Sequence, residues 1–270
     1  MATTTTVTSP LSSASNARNL SRSSLKKIVV LGATSGIAVE VQRQLAERGC
    51  EMLLIARSPQ RLAELQADLH IRGAQKALAY AADLASVEHH ASIFGFVREH
   101  FSDFDTVLLA YGSMQDQKES EASIDVLLEE IQVNFVSASA ILTLFAADLE
   151  QLHTGCIAAI TSVAGDRGRR SNYVYGSTKG ALSLFLQGLR SRLHLAGVRV
   201  ITIKPGPTRT AMTDHMPNSA RFADPEQVAL DIVRTLEGRS PDVLYTPKIW
   251  RYIMTAVEHI PEGIFKRLSF

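Results

Sequence analysis

The sequence predicts an α/β fold, in which one seven-stranded parallel sheet is flanked by helices on both faces. From Lys26 onward, short apolar runs alternate with segments of helical period, which is typical of doubly wound sheets. The chain has 270 residues, of which 46% are hydrophobic and 20% charged, and this suits one large core. No internal repeat or interdomain linker interrupts the alternation. A single domain is therefore expected.

Seven apolar runs rich in β-branched and aliphatic residues are predicted to be strands. They are residues 28–31, 52–56, 77–81, 106–110, 156–161, 198–203 and 243–246. Helices are predicted between them. One ends near Arg48, one opens at Ser58-Pro59, and the others cover residues 86–100, 124–149, 171–195 and 225–236. Pro205-Gly206-Pro207 ends the sixth strand, because this tripeptide can continue neither a strand nor a helix.

The chain is predicted to consist of a tail, one domain and a C-terminal extension. Residues 1–24 are rich in Ser and Thr, with no acidic residue and no apolar stretch, and are expected to be a disordered tail rather than a transit or secretory segment. Residues 25–246 form the domain, and residues 247–270 are an apolar extension of it. The uncharged stretch 131–147 contains interspersed polar residues, so it is interpreted as a buried central helix rather than a membrane span.

Charge and cysteine content exclude several functions. The formal net charge is +1, which provides no basic field for nucleic acid. Cys50 and Cys156 lack zinc-site spacing, and the eight histidines form no recognisable ligand pattern, so no metal is expected.

A glycine-rich turn follows the first strand. Gly32-Ala33-Thr34-Ser35-Gly36-Ile37 leads into the first helix, where a backbone of this kind can approach a pyrophosphate at the helix N-terminus. The pattern predicts a Rossmann-type dinucleotide site, although Gly-x-x-x-Gly is also compatible with a simple tight turn. Arg57 follows the second strand, where an acidic residue would favour NAD and an arginine accommodates the 2′-phosphate of NADP. NADP(H) is therefore preferred over NAD(H); the alternative is an ordinary solvated arginine.

A phenol and an ammonium lie four positions apart in Tyr175-Gly176-Ser177-Thr178-Lys179, and thus on one helix face. The Lys179 ammonium is expected to lower the pKa of Tyr175 toward that of a useful general acid. Ser162 follows the fifth strand, where its hydroxyl can reach a substrate carbonyl at the carboxyl edge of the sheet. Tyr173 is the competing phenol, but its six-residue spacing from Lys179 puts the two on different faces, so it is assigned to the substrate pocket.

With Asp83-Leu84, Asn134 and Pro205-Gly206, these motifs resemble the short-chain dehydrogenase/reductase family over about residues 26–246. The resemblance implies hydride transfer between a nicotinamide and a carbonyl carbon, in an enzyme whose catalytic residues are Asn134, Ser162, Tyr175 and Lys179. It also implies cofactor contacts from Asp83, Leu84, Gly112, Pro205, Gly206 and Thr208, besides Tyr175 and Lys179. Two departures from the family pattern are Ala38 in place of the third glycine, and Ala110-Tyr111-Gly112 after the fourth strand.

Three arginines, Arg167, Arg169 and Arg170, lie between Ser162 and Tyr175, where guanidinium groups can clamp a phosphate. The alternative for at least one of them is a solvated basic loop. The apolar segment beginning at Trp250 can lie in a bilayer interface or cover an apolar ligand, or it can pack on the domain or on a second subunit.

These C-terminal residues and the stretch 162–175 resemble one branch of the family, the decaprenylphosphoryl-2-keto-ribose reductase type. The branch implies reduction of a keto-sugar linked through phosphate to a polyprenol, in sequence with an FAD-dependent oxidase. A homodimer or homotetramer is expected, located in the cytoplasm and in peripheral contact with the inner membrane face. A general NADP-dependent carbonyl or 3-oxoacyl reductase is the second hypothesis, and a non-catalytic nucleotide-binding regulatory protein is the third.

Overall fold

The computed structural model describes residues 26–216, 222–238 and 241–268. Seven parallel strands form one sheet in the order β3-β2-β1-β4-β5-β6-β7. The strands are β1 (Lys27–Leu31), β2 (Glu51–Ala56), β3 (Lys76–Ala81), β4 (Thr106–Leu109), β5 (Cys156–Ile160), β6 (Arg199–Pro205) and β7 (Val243–Thr246). The predicted single-domain α/β fold with seven strands is thereby confirmed. The tail predicted at residues 1–24 lies outside the described residues.

Ten α-helices are described in these parts of the chain. They are α1 (Gly36–Ala46), α2 (Pro59–Ile71), α3 (His90–His100), α4 (Gln117–Ala122), α5 (Ile124–Ile131), α6 (Ala138–Leu152), α7 (Tyr173–Leu193), α8 (Pro225–Glu237), α9 (Ile249–Glu258) and α10 (Glu262–Phe265). Ser58 caps α2 as expected, because its hydroxyl accepts a hydrogen bond from the Arg61 N–H at 3.3 Å and Pro59 occupies the first turn.

The strand order reverses direction between β1 and β4. In parallel α/β sheets, the crevice outside the carboxyl ends of the strands at such a reversal is where ligands bind. Two buried apolar clusters, one on each face of the sheet, hold the helices in place. The loops that follow β1, β2, β4, β5 and β6 consequently meet at one edge.

The predicted helix over residues 124–149 is interrupted. A π-helical turn, Gln132–Ser137, separates α5 from α6, and Asn134 lies within it. Such turns add one residue to the helical repeat and are often found at functional sites. Periodicity alone did not reveal this turn because the apolar pattern runs through it.

The stretch Ile124–Leu152 is, among the described residues, the one helical segment long and apolar enough to span a membrane by length and composition. Its residues Ile141, Leu142, Phe145 and Leu149 are fully buried in one of the two core clusters. The helix therefore contributes to the core of the domain, as the sequence predicted.

The C-terminal extension forms helices α9 and α10, which sequence analysis did not assign. Met254 and Phe265 are buried, whereas Ile249, Tyr252 and Ile264 are exposed by 57%, 72% and 56%. The extension thus packs on the domain through one face and leaves a second apolar face in solvent.

Candidate active site

The turn after β1 requires glycine at its first position. Gly32 has φ +89°, and a Cβ there would lie 2.6 Å from the backbone nitrogen and the Cβ of Tyr111. The N–H groups of Gly32 and Ala33 both donate to the Ile55 carbonyl, at 2.9 and 3.0 Å. The turn is therefore held to β2 and packed against Tyr111 in the loop after β4.

The rest of the turn has the features of a phosphate cradle. A Cβ at Gly36 would lie 2.8 Å from the Thr210 methyl, so the backbone is closely approached there. The Ser35 hydroxyl is buried and has no hydrogen-bond partner within the described residues. The first turn of α1 carries no acidic residue, so its N–H groups and dipole favour an anion. These residues fit the pyrophosphate of a dinucleotide, while Thr34 and Ile37 flank them.

Ala38, where the family has its third glycine, is completely buried and belongs to the core cluster that includes α8. Its methyl group points into the helix packing. The departure from the family pattern therefore adds core contacts at this position.

Arg57 and Asp83 line one surface pocket of about 420 Å³. The other lining residues are Tyr80, Ala81, Ala82, His89 and Ser92. The Arg57 side chain is exposed, with no ion pair or hydrogen bond to another described residue. Arg57 and Asp83, which sequence analysis assigned to the cofactor site on separate grounds, are thus neighbours. The carbonyl of buried Leu84, the next residue, accepts from the Ser137 hydroxyl at 2.5 Å and contacts His90 at 2.9 Å.

Sequence analysis did not single out Arg61. Its guanidinium donates to the Thr34 carbonyl at 2.9 Å and so contacts the glycine-rich turn directly. Arg61 lies in the first turn of α2, and a basic residue so soon after Arg57 was the available signal.

Ser162, Tyr175 and Lys179 meet beside the carboxyl end of β5. The Ser162 hydroxyl lies beside the Tyr175 phenol, where it acts to lower the phenol's pKa, and the Ser162 oxygen accepts a hydrogen bond from the Ala164 N–H at 3.1 Å. The Lys179 ammonium lies 5.7 Å from the centre of the Tyr175 ring and 3.5 Å from the Ile160 carbonyl oxygen. The Lys179 side chain is buried. Tyr173 is 43% exposed at the start of α7 and lies outside this cluster.

Glycines bring the loop after Ser162 against α7. A Cβ at Gly165 would lie 2.6 Å from the Gly180 nitrogen, and a Cβ at Gly176 would lie 2.7 Å from the Ala164 carbonyl oxygen. Only hydrogen atoms fit between these backbones. The distance between Ser162 and Tyr175 is therefore set by backbone packing.

Asn134 connects the π-helical turn to the loop after β4. Its amide accepts from the Ser113 N–H and donates to the Ser113 carbonyl, both at 2.8 Å. A Cβ at Gly112 would lie 2.8 Å from the Asn134 Oδ1 atom and 2.9 Å from the Lys179 ammonium. Gly112 consequently lets these two polar groups approach each other.

Tyr111 occupies the position where the sequence departs from the family pattern. Its hydroxyl lies 2.6 Å from the Ser137 hydroxyl, and burial raises its pKa. Tyr111 therefore adds a hydrogen bond between the loop after β4 and the π-helical turn.

The expected effect of Lys179 on Tyr175 is not observed. Burial raises the pKa of Tyr175 to about 12 and lowers the pKa of Lys179 to about 8. The physical reason is that both groups lose water, and the loss of hydration disfavours each charged form more than neighbouring groups stabilise it. The negative charge of buried Glu130, which sequence analysis missed, raises the pKa of Tyr175 further and partly offsets the lowering of the Lys179 pKa.

The three predicted substrate arginines have different environments. The Arg167 guanidinium, predicted to bind substrate, is hydrogen-bonded instead to carbonyl groups of the C-terminal extension and to Glu262. Arg169 is half-buried, its Nε atom has no hydrogen-bond partner within the described residues, and burial lowers its pKa. Arg170 is exposed.

The turn after β6 adds a further wall to the site. Pro205 belongs to β6, which extends two residues beyond its predicted end. A Cβ at Gly206 would overlap the Trp250 indole. Thr208 is buried, and its hydroxyl donates to the Gly206 carbonyl at 2.9 Å. This hydrogen bond stabilises the turn. No group of three or more potential metal ligands occurs in the described parts of the chain.

The sequence matches the family model "short chain dehydrogenase" over residues 26–220. The chain belongs to the short-chain dehydrogenase/reductase family. It is 31% identical over 241 residues to an uncharacterized oxidoreductase of Mycobacterium tuberculosis, a match that covers 89% of this chain and 96% of that protein. An uncharacterized oxidoreductase of Streptomyces coelicolor is 32% identical over 246 residues, with 90% and 96% coverage.

A short-chain dehydrogenase from Sphingobium yanoikuyae in complex with NADPH has the same fold. The TM-score is 0.77 at 23% identity, and the match covers 91% of this chain and 97% of that structure. Membership of this family makes the protein an NAD(P)-dependent dehydrogenase/reductase.

Proposed function

We propose that this short-chain dehydrogenase/reductase is an NADPH-dependent reductase of a keto group, the 2-keto group of a sugar linked through phosphate to a polyprenol. The observation that carries the reductase function is the meeting of the Ser162 hydroxyl, the Tyr175 phenol and the buried Lys179 ammonium at one place. A hydroxyl pair of this kind can bind one carbonyl oxygen and protonate it.

The bound nicotinamide would supply the hydride. Tyr175 holds the proton, because a pKa of about 12 keeps its phenol protonated at neutral pH. Ser162 donates a hydrogen bond that fixes the carbonyl oxygen beside this phenol. Lys179 holds the nicotinamide ribose, and Asn134 orients the loop at Gly112 by its two hydrogen bonds to Ser113.

The glycine-rich turn, Asp83, Leu84 and the turn at 205–208 would hold the rest of the dinucleotide. The preference for NADPH rests on Arg57. Its guanidinium is exposed at the rim of the pocket that Asp83 also lines, and the ribose 2′-phosphate would give it an anionic partner.

The phosphate in the substrate is supported by Arg169. The Arg169 guanidinium is half-buried without a carboxylate partner among the described residues, which is unfavourable by itself, and an anionic substrate would compensate for the lost hydration. Arg170 provides a second, exposed cation in the same loop. The hydrocarbon chain is supported by the apolar face of α9 and α10, where Ile249, Tyr252 and Ile264 are exposed.

The oligomeric state, the location and a partner enzyme are part of the same proposal. A homodimer or homotetramer would cover Ile124, Leu128 and Leu184, which are exposed by 75%, 54% and 69%. A cytoplasmic enzyme in peripheral contact with the inner membrane face would have access to a polyprenyl substrate. An FAD-dependent oxidase would supply the keto-sugar, because the 2-hydroxyl must first be oxidised to the 2-keto group that this enzyme would reduce.

A steady-state assay at 340 nm separates the hypotheses. The purified protein is offered NADPH with a prenyl-phosphoryl 2-keto-pentose of short chain length, the same keto-sugar without phosphate, and a 3-oxoacyl thioester. The proposal predicts that kcat/KM is highest for the phosphorylated substrate and falls about tenfold or more in Arg169→Met. Equal rates with uncharged ketones would instead indicate a general carbonyl reductase, and NADPH binding without turnover would indicate a regulatory protein.

A further inference from the structure

Arg167 connects the loop after Ser162 to the C-terminal helices. One guanidinium nitrogen donates to the carbonyl groups of Val257 at 2.5 Å, Glu258 at 3.1 Å and Ile260 at 2.6 Å. The other terminal nitrogen contacts the Glu262 carboxylate at 3.0 Å. The carbonyl groups at a helix C-terminus lack partners within the helix, so a cation there satisfies them and complements the dipole. Arg167 therefore caps α9 and joins it to α10.

The same guanidinium also packs on an aromatic ring. Its central carbon lies 3.8 Å from the centre of the Phe265 ring, within the range of a cation–π interaction. Only 14% of the Arg167 side chain is exposed, although Glu262 is 77% exposed. The position of α10 is thus defined by stacking as well as by charge.

The preceding residue fixes the loop to the sheet. Asp166, with 2% of its side chain exposed, forms an ion pair with Lys204 of β6 and accepts a hydrogen bond from the Tyr245 hydroxyl of β7 at 3.0 Å. Neighbouring positions in one loop therefore bind the sheet on one side and the C-terminal helices on the other.

The loop and the helices both border the catalytic residues. Gly165, two positions before Arg167, packs against the backbone of Lys179 and Gly180. At its other end, α9 places the Trp250 indole against Gly206, directly after β6. The extension consequently contacts the rim of the site at two separate points.

We infer that Arg167 is a positioning residue that holds α9 and α10 as a wall on the substrate side of the active site. This inference rests on the proposed reductase function where it is tested by KM and kcat, and it does not depend on that function where it is tested by fluorescence and amide exchange. Arg167 does not touch the reacting atoms; it acts through the helices it caps and through Trp250. Loss of Arg167 should loosen the wall and weaken substrate binding more than dinucleotide binding, because only Trp250 of these helices is placed against the dinucleotide turn, at Gly206.

The test compares full-length Arg167→Ala, Arg167→Lys and Arg98→Ala. Arg98 makes a two-bond ion pair with Asp148 on the surface, so its loss controls for removing a bonded arginine elsewhere. Trp250 is the sole tryptophan of the chain, so intrinsic fluorescence reports on α9 alone. In Arg167→Ala we expect red-shifted emission, stronger acrylamide quenching and about tenfold faster amide exchange over residues 257–265.

The catalytic readout separates positioning from general damage. In Arg167→Ala the KM of the carbonyl substrate should rise about tenfold, with kcat reduced less and the NADPH Kd raised by a smaller factor than the KM. Arg167→Lys should restore part of the quenching and exchange protection, because a single ammonium cannot reproduce the planar fork of donors. This variant also retains the charge, and so keeps the test informative if Arg167→Ala does not fold.

Unchanged Trp250 fluorescence and exchange in Arg167→Ala, or equal changes in Arg98→Ala, would overturn the inference. So would loosened helices with an unchanged KM, since the helices would then not form a wall of the site. If no carbonyl substrate is reduced at all, the proposed function fails, whereas fluorescence and exchange still decide whether Arg167 holds the helices.

Discussion

Replacement of Arg57 by alanine tests the cofactor preference most directly. The Arg57 side chain is exposed and, within the described residues, pairs with no carboxylate or carbonyl. Its removal leaves no buried group unsatisfied, so the free energy of unfolding should change by less than about 0.5 kcal/mol. The effect of the substitution should therefore appear in cofactor binding.

The magnitude follows from one or two charge-assisted hydrogen bonds to the 2′-phosphate, each worth about 1.5–3 kcal/mol. Because solvent screens an exposed guanidinium, the lower end of this range applies. The NADPH Kd should rise about 10- to 30-fold, whereas the NADH Kd should remain within about twofold, since NADH has no phosphate there.

Titration calorimetry with both dinucleotides at low ionic strength measures the two constants. Arg72→Ala removes the same charge just beyond the far end of α2, roughly 20 Å along the helix, and should leave both constants unchanged. Equal losses for NADPH and NADH, or no loss for NADPH, would refute the reasoning. The difference between the cofactors should also shrink as salt is added.

Two further substitutions test the catalytic cluster. Tyr175→Phe should lower kcat by about 10²–10⁴-fold while NADPH still binds, as measured by stopped-flow turnover and titration; retained turnover, or equal loss in Tyr173→Phe, would contradict the assignment. Lys179→Met should abolish turnover yet stabilise the fold near pH 7, because it removes a buried ammonium whose pKa of about 8 lies below its ordinary value. Between about pH 8 and 10.5 the unfolded chain binds more protons at Lys179, so the natural protein gains stability as pH rises. Urea unfolding should show that the free energy of unfolding of Lys179→Met exceeds that of the natural protein by about 3 kcal/mol near pH 7. This difference should shrink by about 2 kcal/mol near pH 9.5, and a difference that does not depend on pH would contradict the lowered pKa of Lys179.

Much of the fold could be predicted from local sequence signals. Strand β7 has the predicted bounds, and the other strands differ by one or two residues at either end, where apolar pattern alone is least informative. The helix over residues 124–149 was predicted as continuous because its apolar side chains follow one period. Only the hydrogen bonds of the folded backbone define the π-helical turn around Asn134.

The candidate site was only partly predictable. Residue spacing put Tyr175 and Lys179 on one helix face, and strand order brought Ser162 to the same edge of the sheet. The charge states were not predictable in this way, because the pKa values of Tyr175 and Lys179 depend on how much water each group loses on folding. Glu130 was missed for the same reason: nothing local marks a carboxylate as buried.

The sequence by itself determined the order of strands and helices, the glycine-rich turn and the positions of the polar residues that follow each strand. These depend on conformational preferences and periodicity within about twenty neighbouring residues. Only the tertiary structure decided that Arg167 caps a helix some ninety positions away, while the buried Nε atom of Arg169, two residues later, has no partner in the part of the chain that the structure describes. The physical reason is that an arginine's partners are set by which carbonyl and carboxylate groups long-range packing brings within hydrogen-bonding distance, and side-chain chemistry alone does not specify them.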